Sequence, residues 1–171
     1  MSNRILAACA LSLGALLAAC APVDGAGPVL PVVPSSAFNA ADFAWSTAAG
    51  SASIQGQVQY RQEGRAFRCT GSVGLTPETP YTRARFQTLY GSTEGAALPE
   101  AVVRARTVAD PNADYRGFVR SETCAGNAFT FSGLPDGGWF VIVRVGAEGA
   151  EPTVLMRHVV TRGGRAVSIV L

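Results

Sequence analysis

From Ser51 onward the chain alternates apolar and polar positions in short runs. ASIQGQVQYR, Ala52 to Arg61, sets Ile54, Gly56, Val58 and Tyr60 against Ser53, Gln55, Gln57 and Gln59, the period of a strand with one buried face. Glu63-Gly64 predicts a hairpin turn into RAFRCTG. Ser72 to Thr76 reads as a short strand closed by Pro77, and TPETPYTRARFQTLYG as an irregular stretch or a single helical turn. Val102 to Thr107 reads as a strand with Val103 and Ala105 opposite Arg104 and Arg106. Tyr115 to Thr123, Ala128 to Phe131, Trp139 to Val145, Thr153 to Thr161 and Arg165 to Leu171 complete the set. Turns are expected at Asn112, Asp136-Gly137-Gly138 and Gly163-Gly164. In WFVIVRV, Trp139, Val141, Val143 and Val145 share one face while Phe140 and Ile142 make the other apolar, which predicts a central strand covered on both sides. No stretch holds a long helical period. Seven or eight short strands predict an all-β protein, an antiparallel β-sandwich over residues 51–171.

The segment before Ser51 has a different pattern. Arg4 precedes an apolar run from Ile5 to Ala19, the length of a signal-peptide core and short of the ~20 residues that span a bilayer. The run ends in Leu17-Ala18-Ala19-Cys20, which looks like a bacterial lipobox. The expectation is a signal peptide over residues 1–19 and lipid on Cys20, with a flexible tether over 20–50 holding the domain off a membrane. Pro22, Pro28, Pro31 and Pro34 keep the early tether extended, and about 30 such residues span about 30 Å as a coil. Ala21 rather than Asp after Cys20 favours the outer membrane, facing the periplasm. Phe38, Ala41 and Trp45 would share a face if Ser36 capped a short helix; docking on the domain and exposure to a partner are both open.

Charge narrows the partners little. The chain carries 14 basic and 12 acidic residues and a single histidine, and every cation is arginine. No run of like charge occurs, so nucleic acid is not implied, and the membrane is reached only through the lipid. Of the four cysteines, Cys9 lies in the signal segment and Cys20 carries lipid, leaving Cys69 and Cys124. In an exported chain a remaining pair is most simply a disulfide; two lone cysteines and one histidine lack the spacings zinc needs.

Taken together, SIQGQV and FTFSGLPDGGWFVIVRV resemble the carboxypeptidase regulatory-like family, whose domain is a transthyretin-type (prealbumin-like) β-sandwich. Ile54, Gly56 and Val58 match its early I-x-G-x-V strand. Phe129, Phe131, Leu134, Pro135, Gly137 and Trp139 match its F-x-F-x-x-L-P-x-G-x-(aromatic) hairpin. Cys69, Gly71, Leu75, Pro77, Thr79 and Tyr81 resemble a motif of a bacterial subset. The resemblance implies a seven-stranded sandwich that supports or presents other modules, with no catalytic residues to carry over. The related hydrolases of purine breakdown use several histidines and a terminal YRGS, whereas here YRG occurs only at Tyr115 to Gly117.

The residues offer little for catalysis. His158 lies in the strand-like VLMRHVVT, and neither a G-x-S-x-G elbow nor a second histidine accompanies it, so no enzyme is expected. Asp110-Pro111-Asn112-Ala113-Asp114 spaces oxygens as a calcium loop does, but lacks the glycine and the terminal glutamate, so a turn explains it and no metal or cofactor is assigned. Arg104, Arg106, Arg116 and Arg120 could gather on an outer face for anionic sugars, though a solvated strand face explains them as well. Tyr60, Tyr81, Tyr90 and Trp139 fit core packing better than a sugar-stacking patch. Asp136, at a hairpin tip, is the remaining interaction candidate with Arg104 and Arg106. The expectation is a scaffold or interaction module for another envelope protein. The alternative is a module binding a glycan, peptide or small hydrophobe, marked by an apolar cleft at loops 110–116 and 134–138.

Overall fold

The computed structural model describes residues 36–106, 108 and 114–171. The signal segment, Cys20, most of the tether, Asp110 to Ala113 and the turn at Asn112 lie outside the described residues. A 3-10 helix, Ala40–Thr47, leads into β1 (Ala52–Gln57), the small hairpin β2 (Arg61–Gln62) and β3 (Arg65–Ala66), and β4 (Arg68–Pro77). α1 (Pro80–Tyr90), β5 (Gly95–Pro99) and α2 (Glu100–Ala105) follow, then a second 3-10 turn, Tyr115–Phe118. β6 (Arg120–Thr123), β7 (Ala128–Leu134), β8 (Gly137–Gly146), β9 (Thr153–Thr161) and β10 (Ala166–Val170) complete the described elements.

Two sheets carry the core. One has five antiparallel strands in the order β5-β9-β8-β4-β6, and the other has three in the order β10-β1-β7. The expected sandwich is present, with one departure: β1 pairs in parallel with β10, from Ser53 with Ala166 to Gln57 with Val170. Ile54, Phe129, Phe131 and Leu134 of the smaller sheet meet Val73, Leu75, Trp139, Val141, Val143 and Val145 of the larger. β8 is central, and Phe140 and Ile142 on its outer face join a second cluster with Phe86, Tyr90 and Met156 beneath α1. The continuous apolar run of β8 thus serves two cores.

The I-x-G-x-V and F-x-F motifs have a joint physical cause. Gly56 lies directly opposite Phe129, and a Cβ at Gly56 would stand 1.9 Å from the Phe129 ring. The ring lies over the bare backbone of its partner strand, so a side chain at either position excludes the other.

Several elements differ from expectation. TPETPYTRARFQTLYG forms an 11-residue helix, not a turn. Thr79 and Thr82 make a reciprocal capping box, Pro80 opens the first turn and Gly91 closes the helix in the left-handed conformation (φ 73°). Val102 to Ala105 is helical too: Glu100 and Arg104 pair across one turn of α2, and the strand here is β5, just upstream. The run from Tyr115 is a 3-10 turn before it becomes β6 at Arg120, and β4 is twice the length expected, starting at Arg68.

Of the two readings open for Phe38 to Trp45, the structure shows docking. Asn39, rather than Ser36, caps the 3-10 helix by accepting a bond from the Ala41 amide. Phe43 is wholly buried and stacks on Phe118 at 4.7 Å between ring centroids, and Trp45 packs edge-on against Trp139 at 4.9 Å. Arg120 donates to the Ser46 carbonyl (3.0 Å). This strap makes the packed unit begin upstream of Ser51. Gly137 serves it, since a Cβ there would meet the Trp45 ring at 2.2 Å, while one on Gly138 would meet the Glu78 carboxylate. Close approach, not only turn geometry, requires glycine there.

Candidate functional site

The interaction candidates named from sequence are spoken for inside the fold. The Asp136 carboxylate accepts from the Gly163 and Gly164 amides (2.5 and 3.1 Å), tying the β9–β10 turn to the β7–β8 turn. Arg106 donates to the Leu89 carbonyl (2.7 Å) near the end of α1. Arg104 donates to Glu100 through Nε and Nη2 (2.9 and 2.6 Å). Arg120 lies over the Trp139 ring, whereas Arg104 and Arg106 lie beyond the opposite edge strand of the same sheet. The four arginines therefore form no common face. Tyr81, Tyr90 and Trp139 are buried, and Tyr60 packs edge-on against Phe67, so no shared stacking patch results. Burial pushes the Tyr90 phenol up to about 12.

His158 is part of a small polar cluster on the outer face of the larger sheet. Its Nε2 donates to Glu78 Oε2 (2.6 Å), its Nδ1 stands 3.7 Å from Glu94 Oε2, and Glu78 also pairs with Arg83. Both ring nitrogens face carboxylates, so neither is aimed at a hydroxyl or thiol. Among the described residues no set of three or more His, Cys, Asp or Glu side chains gathers as metal ligands. Partial burial would raise the Glu78 carboxyl, but the hydrogen bonds from His158 and Arg83 outweigh it and hold the group below its ordinary value of 4.5. A carboxyl lowered in the folded state contributes stability above its unfolded pKa and loses it as pH falls through the folded value. Glu78→Gln is therefore expected to be less stable than the parent at neutral pH, with the gap closing as the pH falls below about 4.5. Urea midpoints across that range check this, and a gap that does not change with pH would refute it.

The cavity with the most suitable chemistry lies at the other end of β8 from Asp136. Glu63 and Gly64, both at positive φ (52° and 78°), turn the β2–β3 hairpin tightly. The β4–β8 ladder sets Arg68 opposite Gly146. Between the hairpin and the β8–β9 connection opens a groove of about 640 Å³. Arg65, Arg68 and Arg144 line it, with Thr70, Glu148 and a floor of small apolar residues that includes Ala147 and Pro152. The size falls within the ~300–1,000 Å³ of small-molecule sites.

The three guanidinium groups are not equivalent. Arg144 donates to Glu100 Oε2 (2.7 Å) and to Thr70 Oγ1 (2.8 Å), so it is held and its charge matched. The bonds from Arg144, then Arg104, keep the Glu100 carboxyl below the usual range. Arg65 makes a long bond to the Glu148 carbonyl (3.4 Å), and Arg68 is exposed with no side-chain partner among the described residues. One exposed guanidinium fork, Arg68, and one weakly held fork, Arg65, thus line an apolar-floored groove. Sequence reading missed this set because Arg65, Arg68 and Arg144 become neighbours only through the β4–β8 register and the hairpin fold.

No family model and no curated protein matches the chain. Among solved structures, it is similar to a Pseudomonas aeruginosa protein provisionally described as carbohydrate binding. The two share 21% identity and a TM-score of 0.53, over 78% of this chain and 96% of the other. At that identity the likeness is one of fold.

Proposed function

We propose that this chain is a non-enzymatic, lipid-anchored module of the bacterial cell envelope, and that its sandwich, of carboxypeptidase regulatory-like type, binds a glycan in the groove between the β2–β3 hairpin and the β8–β9 connection. The observation that carries the binding half is the groove itself, with the exposed Arg68 and the weakly held Arg65 above an apolar floor. The provisional description of the similar Pseudomonas protein supports a saccharide over a peptide or a small hydrophobe. The anchoring half rests on LAAC at Cys20 after an apolar run, and Ala21 favours the outer membrane, facing the periplasm.

Each half has its own test. Filling the groove with Ala66→Trp, at an exposed lining position, is expected to weaken any saccharide found by array screening of the full protein at least about tenfold without lowering Tm. Full affinity in a folded Ala66→Trp variant would remove the groove from the reading. Cys20→Ser is expected to move the protein from the membrane to the soluble fraction, since loss of the acyl chains removes most of the membrane affinity. Unchanged membrane retention would end the lipoprotein reading.

A further inference from the structure

We infer that the groove is built for an acidic saccharide, one whose ring carries a carboxylate, with Arg68 and Arg65 as the recognising forks. This rests on the reading of the groove as a glycan site and adds the chemical class. Neutral sugars are usually held by an aromatic platform against the ring's C–H face together with side chains that accept from its hydroxyls. Among the described residues the lining holds no aromatic side chain, and besides the arginines its polar side chains are those of Thr70 and Glu148. Thr70 already serves Arg144, both accepting from its guanidinium and donating to its carbonyl (3.3 Å). A neutral ring would find few acceptors and no stacking face.

An anionic ring meets the opposite situation. With the charge of Arg144 matched by Glu100, the lining keeps Arg65 and Arg68 against Glu148, a net positive charge. A guanidinium offers paired N–H donors that fit a carboxylate bidentately. Arg68, with no side-chain partner among the described residues, gives up none of their bonds on binding, and Arg65 gives up only a long one. The ring carbons then lie on the apolar floor around Ala147 and Pro152. Arg144 stays with Glu100, fixing the groove wall rather than contacting the ligand first. The nearby Glu100 carboxylate competes with the ligand for the same positive field.

The test uses the full protein and short oligogalacturonates, with the methyl-esterified oligomers as nearly isosteric neutral controls, by isothermal titration at low and moderate salt. The acid form is expected to bind about tenfold or more tightly than the ester, and to weaken as salt rises. Arg68→Ala is expected to remove most of that preference with Tm unchanged, and Arg65→Ala part of it. Glu100→Gln is expected to strengthen binding of the acid form about two- to threefold, a gain that structural damage does not produce. Equal binding of acid and ester, both blocked by Ala66→Trp, would overturn the acidic class and leave the glycan reading standing. Absence of binding to these and all other saccharides would overturn both. Binding to anionic phospholipid vesicles in place of any saccharide would overturn the sugar as the source of the anion.

Discussion

Breaking the Cys69–Cys124 disulfide is expected to cost about 4 kcal/mol of stability, because the bond closes a loop with a sequence separation of 55. The bond does more than shorten the unfolded chain. It fastens β4, in the larger sheet, to the connection by which the chain leaves β6 and enters β7 of the smaller sheet. The neighbouring Asn127, at positive φ (64°), accepts from the Cys69 amide (3.0 Å) and receives the Val58 amide on its carbonyl (2.8 Å). Loss of the bond therefore loosens a corner where both sheets meet. Urea unfolding of the parent against the Cys69→Ser, Cys124→Ser double variant measures this. A difference below about 1 kcal/mol would show that the reduced chain keeps the loop closed by packing alone.

Trp139→Ala is expected to destabilise by about 3–5 kcal/mol, the range for a large aromatic removed from a packed core. The Trp139 side chain has no exposed surface, lies between the sheets and bears on the strap through Trp45. Its Nε1 donates to Thr161 Oγ1 (3.2 Å), and the same hydroxyl donates to the Pro135 carbonyl (2.8 Å) and accepts from the Gly137 amide (3.1 Å). Truncation opens a cavity and withdraws one donor from a shared, buried acceptor. Thermal melts are expected to show a fall in Tm of roughly 10 °C. The chain has two tryptophans, so in Trp139→Phe the fluorescence reports Trp45 alone. If the strap melts together with the sandwich, that signal follows the global transition. An unchanged Tm in Trp139→Ala would contradict the central role given to this side chain.

How much could be read in advance depended on whether an element's partners are local. β8 and β9 were legible because their side chains alternate against two cores, and β9 occupies Thr153–Thr161 as its pattern implies. α1 was not, because its buried positions are Tyr81, Thr82, Phe86 and Tyr90: Thr82, a polar residue, is buried by its own capping bonds, which blurs the apolar stripe. α2 was misread because V-V-R-A-R over so few residues fits a strand as well as a helix, and only the Glu100–Arg104 spacing argued otherwise. The parallel pairing of β1 with β10 leaves no local trace at all. The groove was hidden for the same reason: RAFR and Arg144 lie far apart in the chain, and only the ladder that sets Arg68 against Gly146 joins them. Asp136 shows the reverse limit: the sequence marks an exposed acid at a turn, but not that the β9–β10 turn bonds both of its oxygens.

The parallel ladder between β1 and β10 also sets an order on closure of the smaller sheet. Ser53 lies near the start of the sandwich, and its partner Ala166 opens the last described strand, whose arrival at β1 completes the sheet. Until then β1 has only β7 beside it, and one row of its amides and carbonyls waits in water. The smaller sheet closes only when β10 reaches β1, so a chain cut before Ala166 presents an open edge that the intact sheet does not.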